Sequence, residues 1–290
     1  HALVALVLVA ALRRAGASGG ASVASGALFL VHPVAAEAVA WINQSKTLLA
    51  TGFSLLALER WLAHLREPRP GRLAAATLAG IAALLAKPSA LPLVGILLAA
   101  VWTHRGAPIG ARIANLVPLA LATAIVFPMN LYAQALGGGV APWFGGSPEA
   151  TAQILPWLGL RYVQLVFAPV GLAHGVQPAP PTGWGDPRFW LPCLALVALA
   201  AAVTWLCWRR RERWLGPVWF TFTLLPVLQV VPMINVFGDR YLYAALPGAA
   251  LLLAQLADAA RARERRIARG LVALAAGAGV ALAVATVGQA

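Results

Sequence analysis

Acidic residues are scarce in this chain: Asp and Glu together number 9 in 290 residues, and charged residues of both signs make up 11%, against about a quarter in ordinary soluble domains. With 61% of the residues hydrophobic, a soluble fold is excluded, because one core cannot hide that much apolar surface. Cysteine is limited to Cys193 and Cys207, both inside one apolar run and without CxxC or Cys/His spacing, so neither a disulfide framework nor a zinc site is implied. No Walker A, GxSxG, HExxH or dinucleotide-binding fingerprint occurs. Neither a soluble repeat nor a low-complexity linker divides the chain, and residues 1–290 read as one domain.

What the chain does have is long apolar runs. Phe189 to Trp208 (FWLPCLALVALAAAVTWLCW) and Leu271 to Val287 approach the ~20 residues that cross a bilayer core. Such runs are helices, since the only other backbone-satisfied span is a closed barrel.

The net charge of +13 raises the question of nucleic acid, and its distribution answers it. Of 22 Lys and Arg, 17 fall in five clusters between apolar runs: Arg13 and Arg14; Arg60, Arg66, Arg69 and Arg72; Arg105 and Arg112; Arg209, Arg210, Arg211 and Arg213; and Arg261, Arg263, Arg265, Arg266 and Arg269. In a chain that alternates sides all five land on one face, which the positive-inside rule makes cytoplasmic. Lys46, Lys87, Arg161, Arg188 and Arg240 then lie at or beyond the outer boundary. No basic stripe is interleaved with exposed aromatics, so no nucleic-acid partner is expected.

With the clusters inside, crossings fall at about residues 2–12, 20–31, 47–64, 73–86, 89–103, 111–135, 189–208, 215–235, 241–258 and 271–288. The expected fold is all-α: a polytopic transmembrane helical bundle of about ten spans, with interfacial helices on the outer face. Residues 136–188, rich in Gly, Pro and Trp, form the main outer loop. Within it Ala152 to Leu172 reads as an interfacial helix, because the flanking clusters require an even number of crossings. The alternative is a spanning helix paired with a second crossing. The chain opens on His1 and passes directly into ALVALVLVAAL, and it stops at or just after an apolar run. The expectation is a partial reading frame, truncated at both ends.

Ionisable groups at membrane level are costly and are functional candidates by default. The first group is His32-Pro33 through Lys46 (HPVAAEAVAWINQSK) on the outer side. There Pro33 suits the first position of a helix, placing Glu37 and Trp41 one turn apart on one face; the plainer reading is a surface helix with a Trp anchor. Lys87 interrupts two apolar runs and either holds a phosphate or snorkels to the interface. In Gly238-Asp239-Arg240-Tyr241-Leu242-Tyr243, one charge faces a cavity or the two form a local pair above a tyrosine belt. Arg161-Tyr162, followed by His174 and Gln177, reads chiefly as an anchor. No metal or cofactor site is expected.

The stretch FLVHPVAAEAVAWINQSKTLLA resembles a segment of the transmembrane and tetratricopeptide-repeat O-mannosyltransferase-like proteins and their bacterial relatives. The matching positions are His32, Pro33, Glu37, Val39, Ile42 and Lys46, with Gln44-Ser45 where family members usually read Gly-Arg. LLAKPSALPLVGILL (84–98), RYVQLVFAPVGLAHG (161–175) and VWFTFTLLPVLQVVPMINVFGDRYLYAALPG (218–248) resemble the same family in the same order. The resemblance implies a GT-C type integral-membrane glycosyltransferase. It would move a mannose-like sugar from a polyprenyl-phosphate carrier, as substrate rather than cofactor, to protein hydroxyls or a glycan on the extracytoplasmic face. It further implies that the first helix, the first outer loop with its principal acidic residue and the C-terminal repeats are absent, leaving the fragment alone inactive.

In that chemistry a carboxylate accepts the acceptor's proton while a cation stabilises the departing phosphate. Arg240 is the first choice of cation and Lys87 the second. Glu37 and Asp239 are the candidate catalytic carboxylates, Glu37 on the acceptor side and Asp239 beside the cation. His32, Tyr243 and Arg161 complete the candidate substrate-binding set. Abundant Ala and Arg with little Lys point to a GC-rich bacterial genome, hence an inner-membrane protein with a periplasmic active face. The rival readings are a transporter or flippase and a non-catalytic anchor of a repeat domain.

Overall fold

The computed structural model describes residues 1–103, 109–137, 141–172, 181, 183–229, 232–233 and 235–263. Among these the chain is all-helical, with no strand: α1 (Ala2–Arg14), α2 (Gly19–Leu30), α3 (Ala35–Ala40), α4 (Ser45–Arg66), α5 (Pro70–Ala86), α6 (Leu93–Thr103), α7 (Ile109–Ala114), α8 (Val117–Leu136), α9 (Pro148–Phe167), α10 (Pro187–Cys207), α11 (Leu215–Leu224) and α12 (Leu246–Arg263). Single 3₁₀ turns join several of them, among them Ile42–Gln44, Pro88–Ala90, Arg211–Trp214 and Asp239–Tyr241.

Local chemistry sets the ends. After α1 the Ala17 amide bonds the Leu12 carbonyl and the Gly16 amide that of Arg13. This paired closure needs a left-handed residue, and Gly16 supplies it at φ +100°. The chain then enters α2 through Ser18, whose Oγ accepts from the Ala21 amide while its own amide and hydroxyl bond Asp258 at 2.6 and 2.5 Å. Pro70 opens α5, where a missing amide costs nothing. Pro88 turns Lys87 out of the helix, as a following proline does.

α4 and α5 form a tight hairpin, α1 packs on α4, α2 on α1 and α12, and α11 on α12 and α6. The core is one continuous cluster running from Leu8 and Leu12 through Trp61, Leu62 and Leu97 to Leu242 and Leu246. Trp61 Nε1 donates to the Leu97 carbonyl at 3.0 Å, tying α4 to α6. α11 and α12 meet at two glycines: a Cβ on Gly248 would lie 2.6 Å from the Gly216 carbonyl oxygen, the small-residue approach typical of membrane helix pairs.

Two helices, Val117–Leu136 and Pro187–Cys207, are long and apolar enough to cross a membrane, and few of their residues are buried. At 1.5 Å per residue each is about 30 Å long, the thickness of a bilayer's hydrocarbon core. Leu121, Ile125, Phe127, Met129, Leu191, Leu194, Val197 and Trp205 are exposed along them. Shorter apolar helices are Gly19–Leu30, Pro70–Ala86 and Pro88–Thr103.

Several boundaries differ from expectation. The run expected to cross from 111 divides into α7 and α8, with Pro118 in the first turn of α8. The run expected over 215–235 leaves the α-helix at Leu224, where Pro226 introduces a 3₁₀ turn and Gln229 takes φ +56°. α12 starts at Leu246 rather than 241, because residues 239–241 form a turn. The last expected crossing, 271–288, lies outside the described residues.

Candidate functional site around Arg240

Three segments far apart in sequence converge around Arg240. His32 sets the first of them: its Nδ1 accepts from the Val34 amide at 3.3 Å, so Nε2 is the donor in its 3.1 Å contact with the Val166 carbonyl of α9. Burial lowers the His32 pKa against the raising effect of that carbonyl, so the ring is neutral and both its nitrogens are spent on backbone. This turn starts α3 at Ala35, two residues later than Pro33 would set it. Glu37 and the C-capping Trp41 are thereby presented to Arg240.

Glu37 clamps that arginine twice. Oε1 accepts from Arg240 Nη1 at 2.6 Å, and Oε2 accepts from the Arg240 backbone amide at 2.9 Å, across 203 residues of sequence. The side chains are 18% and 5% exposed. The guanidinium also lies 5.4 Å from the Trp41 ring centre and 4.8 Å from that of Tyr241, a geometry in which a desolvated cation gains from aromatic faces. Burial opposes the Arg240 charge, but the Glu37 bond and the ring of contacts override it, so its pKa is raised. Asp239 precedes it in the same 3₁₀ turn and is buried.

The third arm is Lys87. Its Nζ donates to Thr47 Oγ1 at 2.6 Å and reaches Gln44 Oε1 at 3.5 Å, while Thr47 itself donates to Gln44 at 2.7 Å. Burial, then repulsion from Lys46 and Arg240, pushes the Lys87 pKa down to about 8, with Glu37 pulling the other way. Cations from three segments thus share one neighbourhood with Glu37. Such an excess of partly desolvated positive charge suits an anion, and phosphate oxygens above all.

A hydroxyl-lined crevice begins one turn along α4 from Thr47. Thr47, Thr51 and Ser54 follow one face of α4 and are all buried; Thr51 and Ser54 line the crevice with Ser89, Thr223 and Trp219. Thr223 Oγ1 donates to the Trp219 carbonyl at 2.8 Å, whereas among the described residues the Thr51 hydroxyl has no partner.

The other candidates are engaged elsewhere. Tyr243 bonds His1 Nδ1 through its hydroxyl at 2.8 Å and packs on Phe29. Arg161 bonds the Val170 and Gly171 carbonyls at 2.9 and 2.6 Å, closing the turn after α9. His174 and Gln177 lie outside the described residues. α9 reaches the site instead through Val166 on His32 and Tyr162 stacked on Phe237. It is also packed along α10, with Trp184 donating to Glu149 and Leu196 beneath Gly159.

Gln44 is the residue the sequence did not mark. It stands where the resembled family reads Gly, yet it is buried and accepts from both Thr47 and Lys87. Its spacing of three from Thr47, on the threshold of a helix, was the available signal. Among the described residues no group of three His, Cys, Asp or Glu side chains is placed to hold a metal. No family model, no curated protein and no solved structure matches the chain.

Proposed function

We propose that the chain is the membrane domain of a glycosyltransferase of about ten crossings, with α3, α9 and the Arg240 turn on the extracytoplasmic face. It moves a sugar from a polyprenyl-phosphate carrier to a protein hydroxyl or a glycan. The observation that supports this most is the meeting of Glu37, Lys87 and Arg240 from three separate segments at one end of the bundle, opposite the Arg-rich turns. A lipid phosphate held at the interface needs such a cationic seat, and the departing phosphate gains most from it in a partly desolvated site.

Arg240 is the primary phosphate ligand in this reading, positioned by Glu37 and stacked on Trp41 and Tyr241. Lys87 is the second, with Gln44 and Thr47 fixing its ammonium. Because both Glu37 oxygens are bound to Arg240, proton acceptance by Glu37 requires that pair to open as the acceptor arrives. Asp239 is the second carboxylate within the same turn. The hydroxyl stripe of Thr47, Thr51 and Ser54 offers the donor neutral hydrogen-bonding groups on its inward side.

The test is transfer from a polyprenyl-phosphate sugar in proteoliposomes holding the complete protein. Glu37→Gln and Arg240→Ala abolish transfer per mole of inserted protein, whatever their abundance. Wild-type rates in both variants would sink the reading.

A further inference from the structure

The opposite end of the bundle carries a second charged site that the transferase reading does not use. α10 ends at Cys207, and the next six residues, Trp208 to Arg213, hold four arginines and one carboxylate, Glu212. The 3₁₀ turn Arg211–Trp214 packs against α6, α10, α11 and α12 at once. It is pinned further by Gln255, whose Nε2 donates to the Glu212 carbonyl at 3.1 Å, and by Arg213, whose Nη1 donates to the Leu206 carbonyl at 2.8 Å. The arginines therefore project from a fixed hub.

Their pairing is uneven. Arg210 lies 3.7 Å from Glu212, and Arg213 is spent on Leu206. Among the described residues the Arg209 guanidinium has no partner and that of Arg211 has only the Trp102 ring, 5.6 Å to its centre. Trp102 in turn meets Trp214 edge-on at 6.5 Å. Trp205 and Trp208 stand 78% and 75% exposed on the same helix end. Indole rings at this level belong at a membrane–water interface, so the unpaired guanidinium groups sit where lipid phosphates lie.

We propose that Arg209 and Arg211, framed by Trp102, Trp205 and Trp208, seat the phosphate of an anionic phospholipid in the cytoplasmic leaflet. The inference rests on α10 crossing the membrane and not on the transferase chemistry. The commitment to a lipid, rather than a free anion, comes from the exposed indoles: a soluble phosphate has no use for them, whereas acyl chains and glycerol backbone cover them.

Delipidated protein is titrated with phosphatidylglycerol and, separately, with phosphatidylcholine, and bound lipid is counted by native mass spectrometry. Each basic residue near an anionic surface is worth roughly five-fold in affinity, so Arg209→Gln with Arg211→Gln weakens phosphatidylglycerol binding roughly 30-fold. Arg13→Gln with Arg69→Gln, the same charge loss at other cytoplasmic turns, leaves it within roughly three-fold if the site is local. Arg209→Lys with Arg211→Lys keeps the charge and the fold while losing planar stacking, and gives an intermediate loss. Equal retention of the two lipids, an equal loss in both glutamine pairs, or full displacement by millimolar inorganic phosphate would overturn the proposal. None of these outcomes bears on sugar transfer, so the two readings fail separately.

Discussion

Replacing Glu37 with Ala tests whether the Glu37–Arg240 contact holds the bundle together as well as serving chemistry. The change removes the acceptor of two hydrogen bonds, at 2.6 and 2.9 Å, and leaves a guanidinium that is 5% exposed without its carboxylate. Breaking a buried pair from one side costs about 3–5 kcal/mol. Glu37 is 18% exposed, so water partly compensates and about 2–4 kcal/mol is expected. Arg240→Met costs less, because the surviving carboxylate can hydrate and the methionine still fills the space beside Trp41 and Tyr241. The double variant recovers the difference: its loss is smaller than the sum of the single losses by about 2 kcal/mol, within the range for contacting residues. Equilibrium unfolding in mixed micelles, followed by tryptophan fluorescence, measures all three. If the single losses add to within about 0.5 kcal/mol, the two side chains are not coupled and the clamp is not a clamp.

Lys87 gives a pH signature. Its folded pKa of about 8 lies below its unfolded value near 10.5, so the unfolded state binds the extra proton between those pH values and stability rises with pH across that window. The gain is at most about 3 kcal/mol, Lys87→Met abolishes the slope, and a flat wild-type profile from pH 7.5 to 10.5 refutes it; donor affinity moves the opposite way as the ammonium is lost above pH 8. Thr51→Val keeps shape and removes a buried hydroxyl that has no partner among the described residues, so thermal stability is unchanged or rises by about 1 kcal/mol; a clear loss means the hydroxyl is bonded within the crevice. Gly248→Ala drives a methyl to 2.5 Å from the Phe220 nitrogen and 2.6 Å from the Gly216 oxygen. Neither is a flexible side chain, so overpacking costs about 1–3 kcal/mol in the same unfolding assay, whereas Gly71→Ala, in open space, serves as the neutral control.

Helix positions were the most legible part of the sequence. The apolar runs and basic turns placed α1, α2, α4, α5, α6 and α10 to within a few residues, because apolar content and charge segregation act over whole segments. The ends that shifted did so at Pro118, Pro226 and the Arg240 turn, where a single residue's backbone chemistry outweighs the average of its neighbours. At the site, Glu37, Lys87 and Arg240 stand out individually as ionisable groups between apolar runs. Their meeting does not show in sequence, since no spacing rule joins positions 203 apart. Gln44 was hidden because an uncharged amide beside a helix start looks like surface. His32, Arg161 and Tyr243 carry the right chemistry, but each is bonded locally or to a neighbouring helix, which only the three-dimensional arrangement reveals.

The span between Glu37 and Arg240 bears on how the chain is made. At about 5–20 residues per second, synthesis of the 203 residues from Ala38 through Arg240 takes about 10–40 s. For that time the carboxylate already exists while its cation has not yet been made. The earlier helices must wait with an open seam, and the pocket around Arg240 can close only when the last third of the described chain arrives. A quality-control protease that samples unassembled helices has that interval in which to act, so variants that weaken the clamp are expected to show their defect first as low abundance.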